Sequence, residues 1–214
     1  MLWSGVLALL GSTVIGLLIV ASGSTTTIEV PSSVSQISET DHVKGTRDAS
    51  VVLIEYSDFE CPACASYASL LDEVMDEFDN HVAFAYRHFP LDIHDKAKPA
   101  VRAAEAAGLQ GKFWEMHDML FENQRFWESA TDVIEPFTAY AKTIGLDEEK
   151  FLNDYDSSAL KNFADDAESA ARDLDLTYTP TIILNGEVIN NPGSYDEFRS
   201  IIRDAIESAS QPAI

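Results

Sequence analysis

Both cysteines of the 214-residue chain lie in one short stretch, Asp58-Phe59-Glu60-Cys61-Pro62-Ala63-Cys64-Ala65. Their spacing limits what they can do. A bridge between such near neighbours closes a very small loop, and the entropy removed from the unfolded chain grows with loop length, so the pair is a poor staple. Two readings remain, a redox-active pair or half of a metal site.

The flanking residues place the pair on a strand, a turn and a helix. Val51-Val52-Leu53-Ile54-Glu55-Tyr56 is a short apolar and β-branched run, as expected of a strand buried on both faces of a sheet. Ser57 to Glu60 read as a turn, Pro62 suits a first helical turn, and Leu70, Leu71, Val74, Met75 and Phe78 follow at helical spacing. Cys61 then sits at a helix N-terminus, where free N–H groups and the helix dipole favour a thiolate. Cys64, one turn further in, is expected to be more buried and to act as the resolving thiol.

Glu55 lies within the apolar run. One reading is an outward-facing acid or one paired with Arg87. The other is a buried acid below the cysteines, its pKa raised by desolvation, exchanging a proton with Cys64.

Further along, Val82 to Phe89 reads as a second strand parallel to the first, and the pattern is helical from about Asp95 to Leu174. Thr181 to Leu184 and Glu187 to Asn190 form a hairpin around Asn185-Gly186, and Tyr195 to Ser208 a last helix. The expected class is α/β, with a helical sub-domain set between two halves of a sheet domain. Its parts are 49–92, the insert 93–176, and 177–209.

The N-terminal segment Leu2 to Ala21 has no charge over about 20 residues, enough to cross a bilayer core of about 30 Å. Residues 1–22 therefore read as a single transmembrane anchor, with a cleaved signal peptide as the alternative, and 23–48 as a polar tether. The first basic residue after the span is Lys44, too distant to orient it firmly. An extracytoplasmic domain is expected because a dithiol pair is useful in an oxidising compartment.

Thirty-six acidic against 14 basic residues give a formal net charge of -22. Phosphate backbones would repel such a surface, so nucleic acid is excluded as a partner. Solubility explains the excess, and so does life in concentrated salt, where self-repulsion is screened. His88 and His94 raise a soft-metal site with the cysteines, as in a copper or zinc chaperone, but structural zinc usually needs four protein ligands and no second cysteine pair exists. No metal is expected. His88 reads as a strand residue near the sheet edge. Trp114, Met116, Met119, Phe121, Phe126 and Trp127 are spaced mainly as helical core, with partial exposure as a peptide-binding surface as the alternative.

With these elements in place, the chain resembles the DsbA-type members of the thioredoxin superfamily, in a membrane-anchored form, over about Lys44 to Ser208. The resemblance rests on VLIEYSDFECPAC, YRHFPL, KFWEMHDMLFENQ and TPTIILNGEVI. It implies a thioredoxin fold with an inserted helical domain, and a redox-active Cys61–Cys64 disulfide with no other cofactor. Cys61 would be the attacking cysteine and Cys64 the resolving one. Thr179-Pro180 would be a cis-proline loop facing the pair, and Thr179, Pro62 and Ala63 would meet the substrate. Implied too are a monomer, exported polypeptides as substrates, and a membrane redox partner that resets the pair. The sequence departs from the strong oxidants of the family at Ala63, where they carry histidine, and at Tyr178, where glycine is common. Reduction or isomerisation through the same pair is the alternative direction.

Overall fold

The computed structural model describes residues 36–211. The proposed membrane segment, 2–21, lies outside the described residues, and among those described no helix is long and apolar enough to cross a membrane.

Thirteen elements follow in order. Strands β1 (His42–Gly45) and β2 (Val51–Ser57) precede helix α1 (Pro62–Phe78) and strand β3 (Val82–His88). Six helices come next: α2 (Ala97–Gly108), α3 (Phe113–Glu122), α4 (Gln124–Glu128), α5 (Ile134–Thr143), α6 (Glu148–Tyr155) and α7 (Ser158–Arg172). Strands β4 (Thr181–Leu184) and β5 (Glu187–Ile189) and helix α8 (Tyr195–Ala209) complete the order. The sheet runs β1-β3-β2-β4-β5. β2 and β3 are parallel across the α1 crossover, and every other pairing is antiparallel.

β2 is buried along its length except for Val52, as its apolar composition requires of a central strand. On one face Val51, Leu53, Val82, Phe84 and Ile182 pack under Leu71, Val74 and Phe78 of α1 and Phe198 and Ile202 of α8. On the other, Ile54, Tyr56, Ala85 and Ile183 meet Ala171 of α7 and Leu176. A third cluster fills the helical region and reaches Cys61 and Cys64, with Phe113, Met116, Leu120, Trp127 and Phe137 at its centre. Trp127 is fully buried there, whereas Phe126 is 67% exposed.

Three sequence expectations need correction. Strand β1 lies inside the stretch read as tether (23–48), where His42–Gly45 pairs residue for residue with Ala83–Tyr86. Only Gly fits position 45, since φ is +80° and a Cβ would lie 2.3 Å from the Val82 carbonyl oxygen. Because β1 takes the outer place, β3 is interior, and His88 is a buried residue at its C-terminal end rather than an edge residue. Ser57 is the last residue of β2, 1% exposed, rather than part of the turn. The hairpin follows its turn chemistry, with positive φ at both Asn185 (48°) and Gly186 (89°).

Candidate active site

At its C-terminal end β2 aims Glu55 and Ser57 under the first turn of α1, while the turn 58–60 returns the chain to Cys61. That turn is fastened at several points. The buried Asp58 carboxylate accepts from the Glu60 N–H (2.8 Å), from the Leu91 N–H (2.8 Å) and from Nδ1 of His94 (2.7 Å). Glu60 accepts the Lys96 N–H at 2.6 Å. From α4, the Gln124 amide donates to the backbone carbonyls of Phe59 (2.8 Å) and Cys61 (2.9 Å). The helical region thereby holds the cysteine turn directly.

Cys61 is the N-cap of α1 with extended backbone, and Pro62 follows inside the first turn, where its missing N–H is not needed. Both cysteines carry free thiols. Cys61 is 8% exposed and Cys64 fully buried, and Pro62 and Ala63 between them are exposed. The Cys61 thiolate is held mainly by a hydrogen bond from the Cys64 thiol. Against the cost of burial it also gains the Thr179 side chain and the backbone N–H groups of Cys64 and Ala63, and its pKa falls from 9.0 to about 5. Burial pushes the Cys64 thiol well up, and its donation to Cys61 and the nearby charges of Glu55 and Cys61 add to the shift. The pair is thus split into a nearly buried Cys61, shifted toward the thiolate, and a fully buried Cys64, shifted toward the thiol.

The Thr179-Pro180 peptide is cis. In the thiol form Cys61 Sγ donates to the Thr179 carbonyl at 3.6 Å, so this loop lies against the attacking sulfur. The Thr179 hydroxyl is buried and has no other protein partner, which leaves it available to a thiolate. The loop is positioned by Asn191 Nδ2 donating to the Pro180 carbonyl (2.7 Å) and by Thr181 Oγ1 donating to that of Tyr178 (2.6 Å). Tyr178 stands 49% exposed beside it. On the other side of Pro62 lies a groove of about 450 Å³ lined by Ala65, Ser66, Phe121, Asn123 and Phe126.

Glu55 is 1% exposed. Burial raises its pKa from 4.5 to about 8, opposed by a hydrogen bond from Ser57 and assisted by the charges of Cys61 and Asp72. Arg87 is not its partner, since that guanidinium bonds Asp41 and the Tyr56 hydroxyl. The two histidines read as candidate ligands are placed apart. His88 Nε2 lies 2.9 Å from Glu105, and His94 is on Asp58. Among the described residues no three His, Cys, Asp or Glu side chains are grouped to hold a metal ion.

Three site residues escape a reading of the sequence. Gln124 is one polar residue in an amphipathic window, and the pairing of His94 with Asp58, 36 residues away across α1 and β3, has no local signal. Ser57 was hidden by its turn-like composition, although a hydroxyl two residues beyond a strand acid shares that acid's face of the sheet.

A parallel strand pair, an N-capping cysteine and a cis-proline loop against its sulfur define a thioredoxin-fold dithiol protein. The family model described as Thioredoxin matches residues 37–204, and the chain belongs to that family. The match begins before β1, in agreement with its place in the sheet. Solved structures with the same fold include α-DsbA1 from Wolbachia pipientis, with a TM-score of 0.73 and 16% identity over 83% of this chain and 96% of that one. Oxidised BdbD from Bacillus subtilis has a TM-score of 0.69 and 25% identity, also over 83% and 96%.

Relatives by sequence carry another name. The Na(+)/H(+) antiporter NhaA 1 of Mycolicibacterium vanbaalenii is 43% identical over 167 residues, 76% of this chain and 26% of that protein. That of Salinispora arenicola is 40% identical over 159 residues, 73% and 23%. The chain spans about a quarter of the length of these curated relatives.

Proposed function

We propose that this protein is a thiol:disulfide oxidoreductase that introduces disulfides into exported polypeptides through the Cys61-Pro62-Ala63-Cys64 pair. The observation that carries this reading is the split of the pair: Cys61, shifted toward the thiolate, lies against the Thr179-Pro180 loop beside the exposed Pro62 and Ala63, above a fully buried Cys64 shifted toward the thiol. In the oxidised protein a substrate thiolate attacks Cys61 Sγ, the Cys61–Cys64 bond breaks, and its electron pair leaves on Cys64, which takes up a proton. A second substrate thiolate then attacks the sulfur of the first, a substrate disulfide forms, and Cys61 departs as the thiolate its surroundings favour. Two electrons have passed from substrate to enzyme.

The exposed Pro62 and Ala63, the backbone at Thr179 and the groove toward Phe126 receive the polypeptide, with an extended segment pairing along the cis-proline loop. A membrane partner able to pass electrons onward reoxidises the dithiol. The domain works as a monomer outside the cytoplasm, tethered by residues 1–22. The antiporter activity named for the curated relatives is not carried to this chain, because the match covers about a quarter of their length.

Cys64→Ala tests the reading. With its resolving thiol removed, Cys61 should accumulate mixed disulfides with reduced, unfolded exported proteins, visible as species that a reductant releases. No mixed disulfide, with Cys61 shown to be free, would point to an inert pair in a binding protein.

A further inference from the structure

The loop before β4 is held by side chains. Among the described residues no backbone–backbone hydrogen bond outside the helices and strands reaches residues 177–180. Three successive carbonyls of the loop each accept from a side chain instead: that of Tyr178 from Thr181 Oγ1 (2.6 Å), that of Thr179 from Cys61 Sγ (3.6 Å) and that of Pro180 from Asn191 Nδ2 (2.7 Å). The three are not equivalent. Thr181 bonds back within its own turn, and Cys61 has no S–H to give once it is in the disulfide, the state that meets a reduced substrate. Asn191 alone then ties the loop by a side chain to another part of the fold.

The register explains why the task falls to this residue. Ile182 of β4 faces Ile189 of β5, so two residues further out position 191 stands opposite Pro180. The backbone ladder stops short of that point, since β5 ends at Ile189 and a proline has no N–H to continue it. The Asn191 amide supplies the missing link to the buried Pro180. Its own Oδ1 is buried without a hydrogen-bond partner, so this one bond sets the side chain's direction. The next residue carries the connection onward. The carbonyl of the buried Pro192 accepts from the Tyr67 hydroxyl, on the helix that begins at the cysteines. Residues 191 and 192 therefore join the two walls of the site, α1 and the Thr179-Pro180 loop, along a path separate from the reacting sulfur.

We propose that Asn191 is a positioning residue for polypeptide substrates, its amide fixing how far the Thr179-Pro180 loop stands from α1, with Tyr67 bracing the helix side. The proposal rests on the oxidoreductase reading above. An extended segment that pairs with the Thr179 backbone brings its thiolate to Cys61 only when loop and sulfur keep one spacing. A small thiol makes no such pairing and needs only access to the sulfur. Asn191 acts through Pro180 rather than on the reacting atoms.

The test compares two reductants on the oxidised full-length chain, an unstructured peptide with one reduced cysteine and 2-mercaptoethanol. The rate of disulfide opening is followed in wild type, in Asn191→Leu, which keeps the size and loses the amide, and in Tyr67→Phe, which keeps the ring and loses the hydroxyl. The ratio of the peptide rate to the 2-mercaptoethanol rate should fall about tenfold in Asn191→Leu, the scale of a buried carbonyl that loses its donor. The loss should lie in KM for the peptide rather than in the limiting rate. In Tyr67→Phe the ratio should fall about threefold. An unchanged ratio in folded Asn191→Leu, or two rates that fall in parallel, would overturn the proposal. If Asn191→Leu does not fold, Tyr67→Phe decides alone, and an unchanged ratio there overturns it. A wild-type disulfide that neither thiol opens would instead overturn the oxidoreductase reading.

Discussion

A single carboxyl couples the site to stability. Burial raises Glu55 from 4.5 to about 8, so the folded state prefers the protonated form. In the unfolded chain the group ionises near 4.5, and stability is therefore lost progressively between about pH 4.5 and 8, with the loss complete above. At about 1.4 kcal/mol per pH unit the full cost approaches roughly 5 kcal/mol. Glu55→Gln removes the ionisation while keeping the size. Its stability relative to wild type should rise across that window, by several kcal/mol between pH 5 and 8 in denaturant titrations of the reduced proteins. A difference that does not change with pH would show that Glu55 is solvated in the fold.

Glu55 was legible because a charged residue interrupts a run that is otherwise buried on both faces. Its alternative partner, Arg87, was equally legible and wrong. Residues 55 and 87 have opposite parity along their paired strands, and the register sets Glu55 beside Tyr86 while Arg87 faces the other side of the sheet. Where Cys61 finds its donors was less visible. The helix N-terminus was expected, but the largest contribution comes from Cys64 itself, and Ala63 turns out to offer a backbone N–H in place of an imidazole.

The helical region acts on the site through α4, a five-residue helix that the periodicity does not separate from its neighbours. The Gln124 amide caps two carbonyls of the cysteine turn. Gln124→Ala leaves the buried Phe59 carbonyl without its donor, while that of Cys61 keeps the Ala65 N–H at 3.2 Å, which should cost about 1–3 kcal/mol. It should also make Cys61 react less uniformly, which the pH dependence of its alkylation would report as a broadened or raised thiol titration. An unchanged titration with unchanged stability would mean that water replaces the amide without loss.

Strand β1 shows the opposite limit of sequence reading. His42-Val43-Lys44-Gly45 is too short and too charged to display an alternation, and its place depends on hydrogen bonds to β3 some forty residues on. The longer elements were readable because each carries its own period: α1 and α8 have one apolar stripe each, facing the same side of the sheet.

For the whole molecule, a net charge of -22 means that the folded surface repels itself. Many of the basic side chains are occupied, as Arg199 and Arg203 are on Glu77, Lys98 on Asp165 and Glu168, and Arg172 on Asp92 and Glu168. At 1 M salt the screening length falls to about 3 Å, so added salt should raise the melting temperature even though it weakens these pairs. A melting temperature that falls from low to molar salt would show that the pairs outweigh the repulsion.

The proposed direction of exchange rests on Cys61 being held as a thiolate, which stabilises the reduced pair and makes the disulfide an oxidant. A pKa of about 5, against about 7 for the attacking cysteine of thioredoxin, favours the reduced form at pH 7 by close to two powers of ten, or about 50 mV. The direct measurement is the reduction potential of the Cys61–Cys64 couple, from equilibration of the protein in glutathione buffers at pH 7. A potential at or above about -220 mV is predicted. A value near the -270 mV of thioredoxin, about as reducing as a dedicated electron donor, would contradict the claim and turn the direction of exchange around.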